Sequence, residues 1–375
     1  MENTFVMDQK TLLDVLSAMQ PICSKRTTLD ATECILFHIA PRELTLKATD
    51  LEISLQSTVP IESSLIENSS FLVSGKRIFD LVKELEGEIA FHVTENQLTL
   101  KAAGVDLALN IKDAQDFPPF PERIENLMQM EAPFVLEMLN KVAFLVPQNN
   151  ANAALNGMLL EFKDGMMSLV ATDGHCLAKV ATPKYNLGED KKWLLPKRAI
   201  VELKKILEVN DVESIFLGTC GNQLVFSGPH FNFFTKLIAD PFPQYEAVLA
   251  KESFIPARVN KNVLLKTLKR TSCLLAGQFI STQFTFKPGT LDVHFLNKEV
   301  GKLEESLALQ QFDGAAIKSK FYAPYLLGGL QVFPDDNIEF YIKNNSRPLI
   351  FESAQKDYYF TYLVMPISNT PQENN

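Results

Sequence analysis

Asn156-Gly157-Met158-Leu159-Leu160-Glu161-Phe162, followed by Val170-Ala171-Thr172-Asp173-Gly174-His175-Cys176-Leu177-Ala178, is the stretch that decides the fold. Met158, Leu160 and Phe162 alternate with Leu159 and Glu161, the period of a strand. Lys163-Asp164-Gly165 supplies a turn, and Met167, Leu169 and Ala171 alternate on the return. The reading is a β-hairpin near the middle of the chain, ended by the polar bend Thr172-Asp173-Gly174-His175. In that bend Asp173 is expected to accept backbone amides and Gly174 to supply a positive φ.

Outward from the hairpin, one order of elements occurs three times. The first third reads as an amphipathic helix over 10–19, with Leu12, Val15, Leu16 and Met19 on one face. Paired strands follow at 33–38 and 43–48, then a strand at 71–73 and a second helix over 76–85 capped by Ser74. Strands at 89–93, 98–102 and 105–111 complete the set. The second third repeats it: a helix at 135–142, the hairpin, a strand at 193–195, a helix begun by Pro196, and strands at 214–217, 223–226 and 231–238. The last third has a helix at 261–270, a hairpin around Pro288-Gly289, a second helix beginning within 321–327, and strands at 338–342, 349–351 and 358–364. Asp116-Phe117-Pro118 closes the first copy and Asp240-Pro241-Phe242-Pro243 the second.

The strand before the second helix is read as starting at Phe71, Trp193 and Phe321, at intervals of 122 and 128 residues. That period is too long for a solenoid. It implies three similar α+β domains, 1–125, 126–250 and 251–375, each with its own core. The alternative, three unrelated α+β domains, is disfavoured because the element order and the Asp-x-Phe-Pro boundary both repeat.

Chemistry is sparse. Gly75-Lys76-Arg77 lacks the loop that precedes a phosphate-binding lysine, and neither Gly-x-Gly-x-x-Gly nor His-Glu-x-x-His occurs. The five histidines have no metal-ligand spacing, and the five cysteines form no Cys-x-x-Cys pair. No cofactor is expected. Asp173 and His175 could serve an enzyme as an acid/base pair, but their spacing around a glycine suits a turn better. No apolar run reaches the roughly 18 residues that span a membrane, and residues 1–5 do not open a signal peptide. A reducing, cytoplasmic setting is expected.

A net charge of −9 argues against a generally basic surface. Basic residues nonetheless recur on equivalent helices: Lys76, Arg77 and Lys83; Lys197/Lys204 and Arg198/Lys205, seven apart; and Lys266, Lys269 and Arg270. Each set alone reads as a solvated helix face. Their recurrence implies a shared basic surface suited to phosphate-backbone contact without base readout.

Four motifs, in order, carry a resemblance: Leu155-Asn156-Gly157-Met158-Leu159, Ala171-Thr172-Asp173-Gly174-His175-x-Leu177-Ala178, Phe242-Pro243-x-Tyr245, and Tyr362-Leu363-Val364-Met365-Pro366-Ile367. Over essentially its whole length the chain resembles the bacterial β sliding clamp family, the processivity subunit of DNA polymerase III. The resemblance implies a DNA clamp fold: a head-to-tail homodimeric ring of six domains, with two inner helices per domain and antiparallel sheets outside. A basic hole and an acidic rim would then reconcile the charges. Double-stranded DNA would meet Arg26, Lys76, Arg77, Lys197 and Arg198. At the dimer seam Leu107 and Leu109 would meet Leu274 and Leu275. A peptide of Gln-Leu-x-Leu-Phe type would dock between domains two and three. One side of that pocket would be Leu155, Thr172, Gly174, His175 and Leu177, with Pro243 and Val248 beside them. The other would be Ser346, Leu363, Val364, Met365, Pro366 and Ile367. Implied partners are the DNA polymerase III alpha subunit, the clamp loader delta subunit, translesion polymerases and mismatch repair proteins, with no membrane and no catalysis. A monomeric interaction scaffold is the alternative. Cys176 stands where the family usually has arginine and is expected to alter the pocket rim. The loop 149–154 lacks basic and aromatic residues, and Ser368 replaces the usual terminal arginine before a polar tail.

Overall fold

The computed structural model describes residues 3–23, 27–63, 68–275 and 281–367. Among them are six α-helices: α1 (Gln9–Cys23), α2 (Gly75–Lys83), α3 (Ala132–Val142), α4 (Lys197–Asn210), α5 (Lys261–Cys273) and α6 (Ala323–Leu330). Helix α1 buries Leu12, Leu16, Met19 and Ile22, one stripe at helical spacing. Helix α4 buries Ala199, Ile200, Leu203, Ile206 and Leu207 in the same way. Asn260 starts α5 by accepting the Val263 amide at 3.1 Å.

Each third of the chain has a strand, a helix, four main strands, a second helix and three strands. Besides two two-residue strands, the sequence reading lacks Asn3–Asp8, Ile53–Pro60, Glu125–Glu131, Cys176–Thr182, Ile255–Asn260 and Gly301–Gln310. The strands before the second helices are Ser69–Ser74, Lys191–Pro196 and Ile317–Phe321, starting at intervals of 122 and 126 residues. Phe321 therefore ends its strand rather than starting it, which corrects the interval of 128. Ser74 makes no side-chain bond to α2; it ends its strand, paired with Cys34 in the ladder, which corrects the expected cap. Pro196 closes an edge strand instead of opening α4, at a sheet edge where its missing N–H deprives no neighbour.

The chain forms two compact units, Met1–Leu136 with Arg198–Leu237, and Glu137–Lys197 with Ile238–Asn375. The first unit holds a five-stranded and a nine-stranded sheet, the second a 12-stranded sheet. Strands of neighbouring copies pair across the copy boundaries. Strand Phe231–Lys236 pairs with Ile53–Pro60 in the first unit. Strand Cys176–Thr182 pairs with Tyr359–Val364 in the second. Strand edges carry unpaired amides and carbonyls, and neighbouring repeats satisfy them.

In the second unit the hairpin is Gly157–Lys163 against Met166–Thr172, with Lys163 opposite Met166. Asp164 and Gly165 both have positive φ, 53° and 75°, the two-residue turn that matches strand twist. The hairpin then feeds a core cluster of Leu159, Val170, Leu177, Leu194, Tyr245, Ile350 and Leu363.

Candidate functional site

The bend after the hairpin is built from its own side chains. Asp173 Oδ1 accepts the amides of His175 (2.8 Å) and Cys176 (2.6 Å). Thr172 Oγ1 donates to the Cys176 carbonyl at 2.6 Å and accepts the Gly174 amide at 3.1 Å. Gly174 sits at φ +91°, where a β-carbon would be strained. Asp173 thus works on the backbone, as the spacing implied.

His175 is exposed, and its ring stacks on Tyr325 of α6, centroids 5.6 Å apart. Its carbonyl accepts the Met365 amide at 2.8 Å, one step beyond the Leu177–Leu363 and Cys176–Val364 register. Met365, Pro366 and Ile367 then leave the sheet, and the Ile367 amide donates to the Lys320 carbonyl at 2.8 Å. Beneath the bend lies Tyr362, whose hydroxyl donates to the Tyr325 carbonyl at 2.7 Å. Gly329 of α6 faces that ring, and a methyl group there would overlap it. Burial pushes the Tyr362 phenol well above its ordinary range, with Cys176 and Asp173 adding to the shift. Burial pushes the Tyr325 phenol up to about 12. Cys176 is 1% exposed, and burial raises its thiol too. This corrects the expectation at position 176: strand alternation turns Cys176 inward toward Tyr362, so it changes the core and not the rim.

The predicted pocket residues separate into floor and rim. Leu155, Leu177, Leu363 and Val364 are buried. Thr172, Met365, Pro366 and Ile367 are half-buried, while Gly174, His175, Pro243, Val248 and Ser346 are exposed. Leu249, Phe242 and Met365 pack partly buried against the cluster that contains Leu177 and Leu363. Tyr245 anchors the same cluster and donates to buried Glu161 at 2.5 Å. Lys192 Nζ lies 2.9 Å from the other oxygen of Glu161. Tyr325, Tyr362 and Tyr245 are the site residues sequence reasoning did not weigh. Tyr245 and Tyr362 lay within quoted motifs, while Tyr325 had no local signal.

The basic candidates differ from one another. Arg26 lies outside the described residues. Lys76 and Arg77 are exposed in the first turn of α2, and Lys197 is half-buried at the start of α4. Arg198 is committed inside the first unit: Nη1 pairs with Asp50, whose side chain is fully buried, and Nη2 donates to the Pro21 carbonyl at 3.0 Å. Arg270 is likewise held by Glu305, through Nη2 at 2.6 Å. Lys266 and Lys269 are exposed. Leu107 and Leu109 lie half-buried on Val105–Asn110, which ends the five-stranded sheet. Leu274 caps α5, with Leu275 next to it, both half-buried. Among the described residues no group of three or more His, Cys, Asp or Glu could hold a metal ion. No helix there is long and apolar enough to cross a membrane.

Three family profiles match in sequence order. They are the N-terminal (residues 3–121), central (129–244) and C-terminal (246–368) domains described as DNA polymerase III beta subunit. The chain belongs to that family. It is 28% identical over 369 residues to the beta sliding clamp of Pseudomonas aeruginosa, covering 97% of this chain and 99% of that one. The beta sliding clamp of Halalkalibacterium halodurans is 24% identical, at 94% and 96% coverage. Among solved structures, the DNA polymerase III subunit beta of P. aeruginosa superposes at a TM-score of 0.88, with 25% identity and coverage of 97% and 99%. The DNA polymerase sliding clamp of Bacillus subtilis, at 19% identity, shares the fold with a TM-score of 0.90 over 98% and 100%. The three-domain α+β clamp fold is thus common to the family and to this chain.

Proposed function

We propose that this chain is a DNA polymerase processivity factor. Two copies close into a head-to-tail ring around duplex DNA, slide without reading sequence, and tether polymerase. The observation that carries this is the pattern of strand pairing. The third strand after the first helix of repeat one, Ile53–Pro60, pairs with the last strand of repeat two. Its counterpart in repeat two, Cys176–Thr182, pairs with the last strand of repeat three. The counterpart in repeat three is Gly301–Gln310, and the last strand of repeat one is Val105–Asn110, which ends its sheet. Continuing the pattern needs a second copy. The seam would join these strands and bring Leu107 and Leu109 against Leu274 and Leu275. A mass of about 84 kDa in solution, twice 42.1 kDa, is the expected result.

In this reading the domains are 1–125, 126–250 and 251–375. Lys76, Arg77 and Lys197 contact phosphates, and Arg26 is a further candidate. Arg198 acts mainly as a brace for the surface that carries Lys197. No group is assigned a catalytic role, and the setting is cytoplasmic. The bend 172–175, Pro243, Val248, Ser346 and Met365–Ile367 form a docking pocket for a Gln-Leu-x-Leu-Phe type peptide. The polymerase alpha subunit, the clamp loader delta subunit, translesion polymerases and mismatch repair proteins would share it. Leu155, Leu177, Leu363 and Val364 lie beneath as the apolar floor. Two anchors at roughly 1.5–3 kcal/mol each give gross binding that ordering costs reduce to about micromolar affinity or weaker.

The test is retention on closed circular DNA. Release on linearising the circle supports a topological ring; equal retention on both forms refutes it. For the pocket, His175→Ala should weaken peptide binding severalfold while the mass stays dimeric, since a stacked ring contributes about 1 kcal/mol. Unchanged binding would remove His175 from the pocket.

A further inference from the structure

The end of each repeat meets the edge strand of the same repeat in one way. Lys112 pairs with Leu72 in the first. In the second the Ile238 amide donates to the Leu194 carbonyl at 2.9 Å, and in the third the Ile367 amide donates to the Lys320 carbonyl at 2.8 Å. Leu72, Leu194 and Lys320 are therefore equivalent positions. The first two are leucine and the third is lysine. In the second repeat the chain continues as Asp240-Pro241-Phe242-Pro243-Gln244-Tyr245 along the edge strand. Leu194 is buried there, in a cluster that takes in Ile238, Phe242 and Tyr245.

In the third repeat the described chain stops at Ile367, beside a cleft of about 540 Å³. Its lining includes Lys318, Ser319, Lys320, Ser346 and Met365. Lys318 and Lys320 are two apart on one strand, so they share a face. Among the described residues neither forms an ion pair. Ser319 between them is 3% exposed and turns to the opposite, buried face. The position that is leucine against Phe242 and Tyr245 in the second repeat is thus lysine beside the cleft in the third.

We propose that this cleft takes the acidic flank of a partner's docking peptide, with carboxylates on Lys318 and Lys320. The inference rests on the docking-pocket reading above, because Ser346 and Met365–Ile367 border both. The occupant is an extended segment laid along the edge strand Ile317–Phe321, as Asp240–Tyr245 is laid along Lys191–Pro196. Two lysines would make the flank a selective element: the apolar anchors set whether a peptide binds, and the acidic residues set which peptide binds best.

The experiment measures binding of three synthetic peptides to the full chain by fluorescence anisotropy. One is Gln-Leu-Ala-Leu-Phe; the others carry Asp-Asp-Asp before or after it. One acidic peptide should bind about fivefold tighter than the plain one at low salt, the size expected of two exposed charge pairs. That ratio should collapse at high salt, vanish or invert in Lys318→Glu/Lys320→Glu, and survive in Lys318→Arg/Lys320→Arg. Equal affinities for all three peptides overturn the proposal, as does an advantage that the charge-reversed variant keeps. A chain ended after Ile367 that binds every peptide better by one factor assigns the cleft to the chain's own last residues instead. If the plain peptide does not bind at all, the docking pocket itself is wrong, a failure distinct from a missing acidic preference.

Discussion

Two bends in this molecule share a sequence and a geometry but not a role. Ala48-Thr49-Asp50 in the first repeat matches Ala171-Thr172-Asp173 in the second. Thr49 Oγ1 donates to the Ile53 carbonyl and accepts the Leu51 amide, as Thr172 does with Cys176 and Gly174. Asp50 Oδ1 accepts the amides of Glu52 and Ile53, as Asp173 does with His175 and Cys176. Even the positive φ recurs, at 76° for Leu51 and 91° for Gly174. The surroundings separate them. Arg198 of α4 covers the first bend and neutralises Asp50, while at the second the exposed His175 lies against Tyr325 of α6. The turn is a device of the fold, and whether it braces or docks depends on the helix packed against it.

The strongest way to break this comparison is to uncover the first bend. Arg198→Ala leaves a buried carboxylate without its cation and should cost about 3 kcal/mol, read as a lower denaturant midpoint. A double change, Asp50→Asn with Arg198→Met, should recover much of that loss. An Arg198→Ala protein as stable as the parent would mean that the ion pair is not a brace.

The second bend should instead announce itself in alkali. The buried Cys176 thiol and Tyr362 phenol beneath it both titrate above their ordinary values of 9.0 and 10.0. Groups held protonated in the fold contribute stability that is complete below those ordinary values. That stability is lost as pH rises through them toward the folded ones. The denaturation midpoint should hold to about pH 9 and then fall, with a shallower fall in Tyr362→Phe. A midpoint level to pH 11 would show that these groups are not held neutral.

Exchanging the backbone permits the finest distinction. Gly174→Ala should cost about 1 kcal/mol, because a β-carbon is disfavoured at that φ. Leu51→Gly should gain about 0.5 kcal/mol, the strain relief exceeding the added chain entropy and lost contact. Loss in both variants would show that Leu51 is held by packing that outweighs its strain.

Much of the fold was legible because it is locally encoded. The hairpin, its Asp164-Gly165 turn and the apolar stripes of α1 and α4 are visible in the spacing of a few residues. Cys176–Thr182 escaped because it is buried on both faces apart from Lys179, so alternation is lost. In the third repeat Phe321 was the conspicuous aromatic, and it drew the register two residues forward of Ser319, the true counterpart of Trp193. Basic spacing on α4 was visible, but nothing local separates Arg198, tied to Asp50 at a separation of 148 residues, from Lys197 beside it.

The same division runs through the docking bend. The sequence by itself determined a threefold α+β repeat and a Thr-Asp turn after the hairpin, because strand period, helix stripe and turn chemistry act over a few bonds. Tertiary structure alone decided that Tyr325 stacks on His175, that Cys176 turns inward, and that Lys320 occupies the place of Leu194. Those outcomes depend on desolvation and on contacts between segments far apart in the chain, and short-range periodicity carries no record of them.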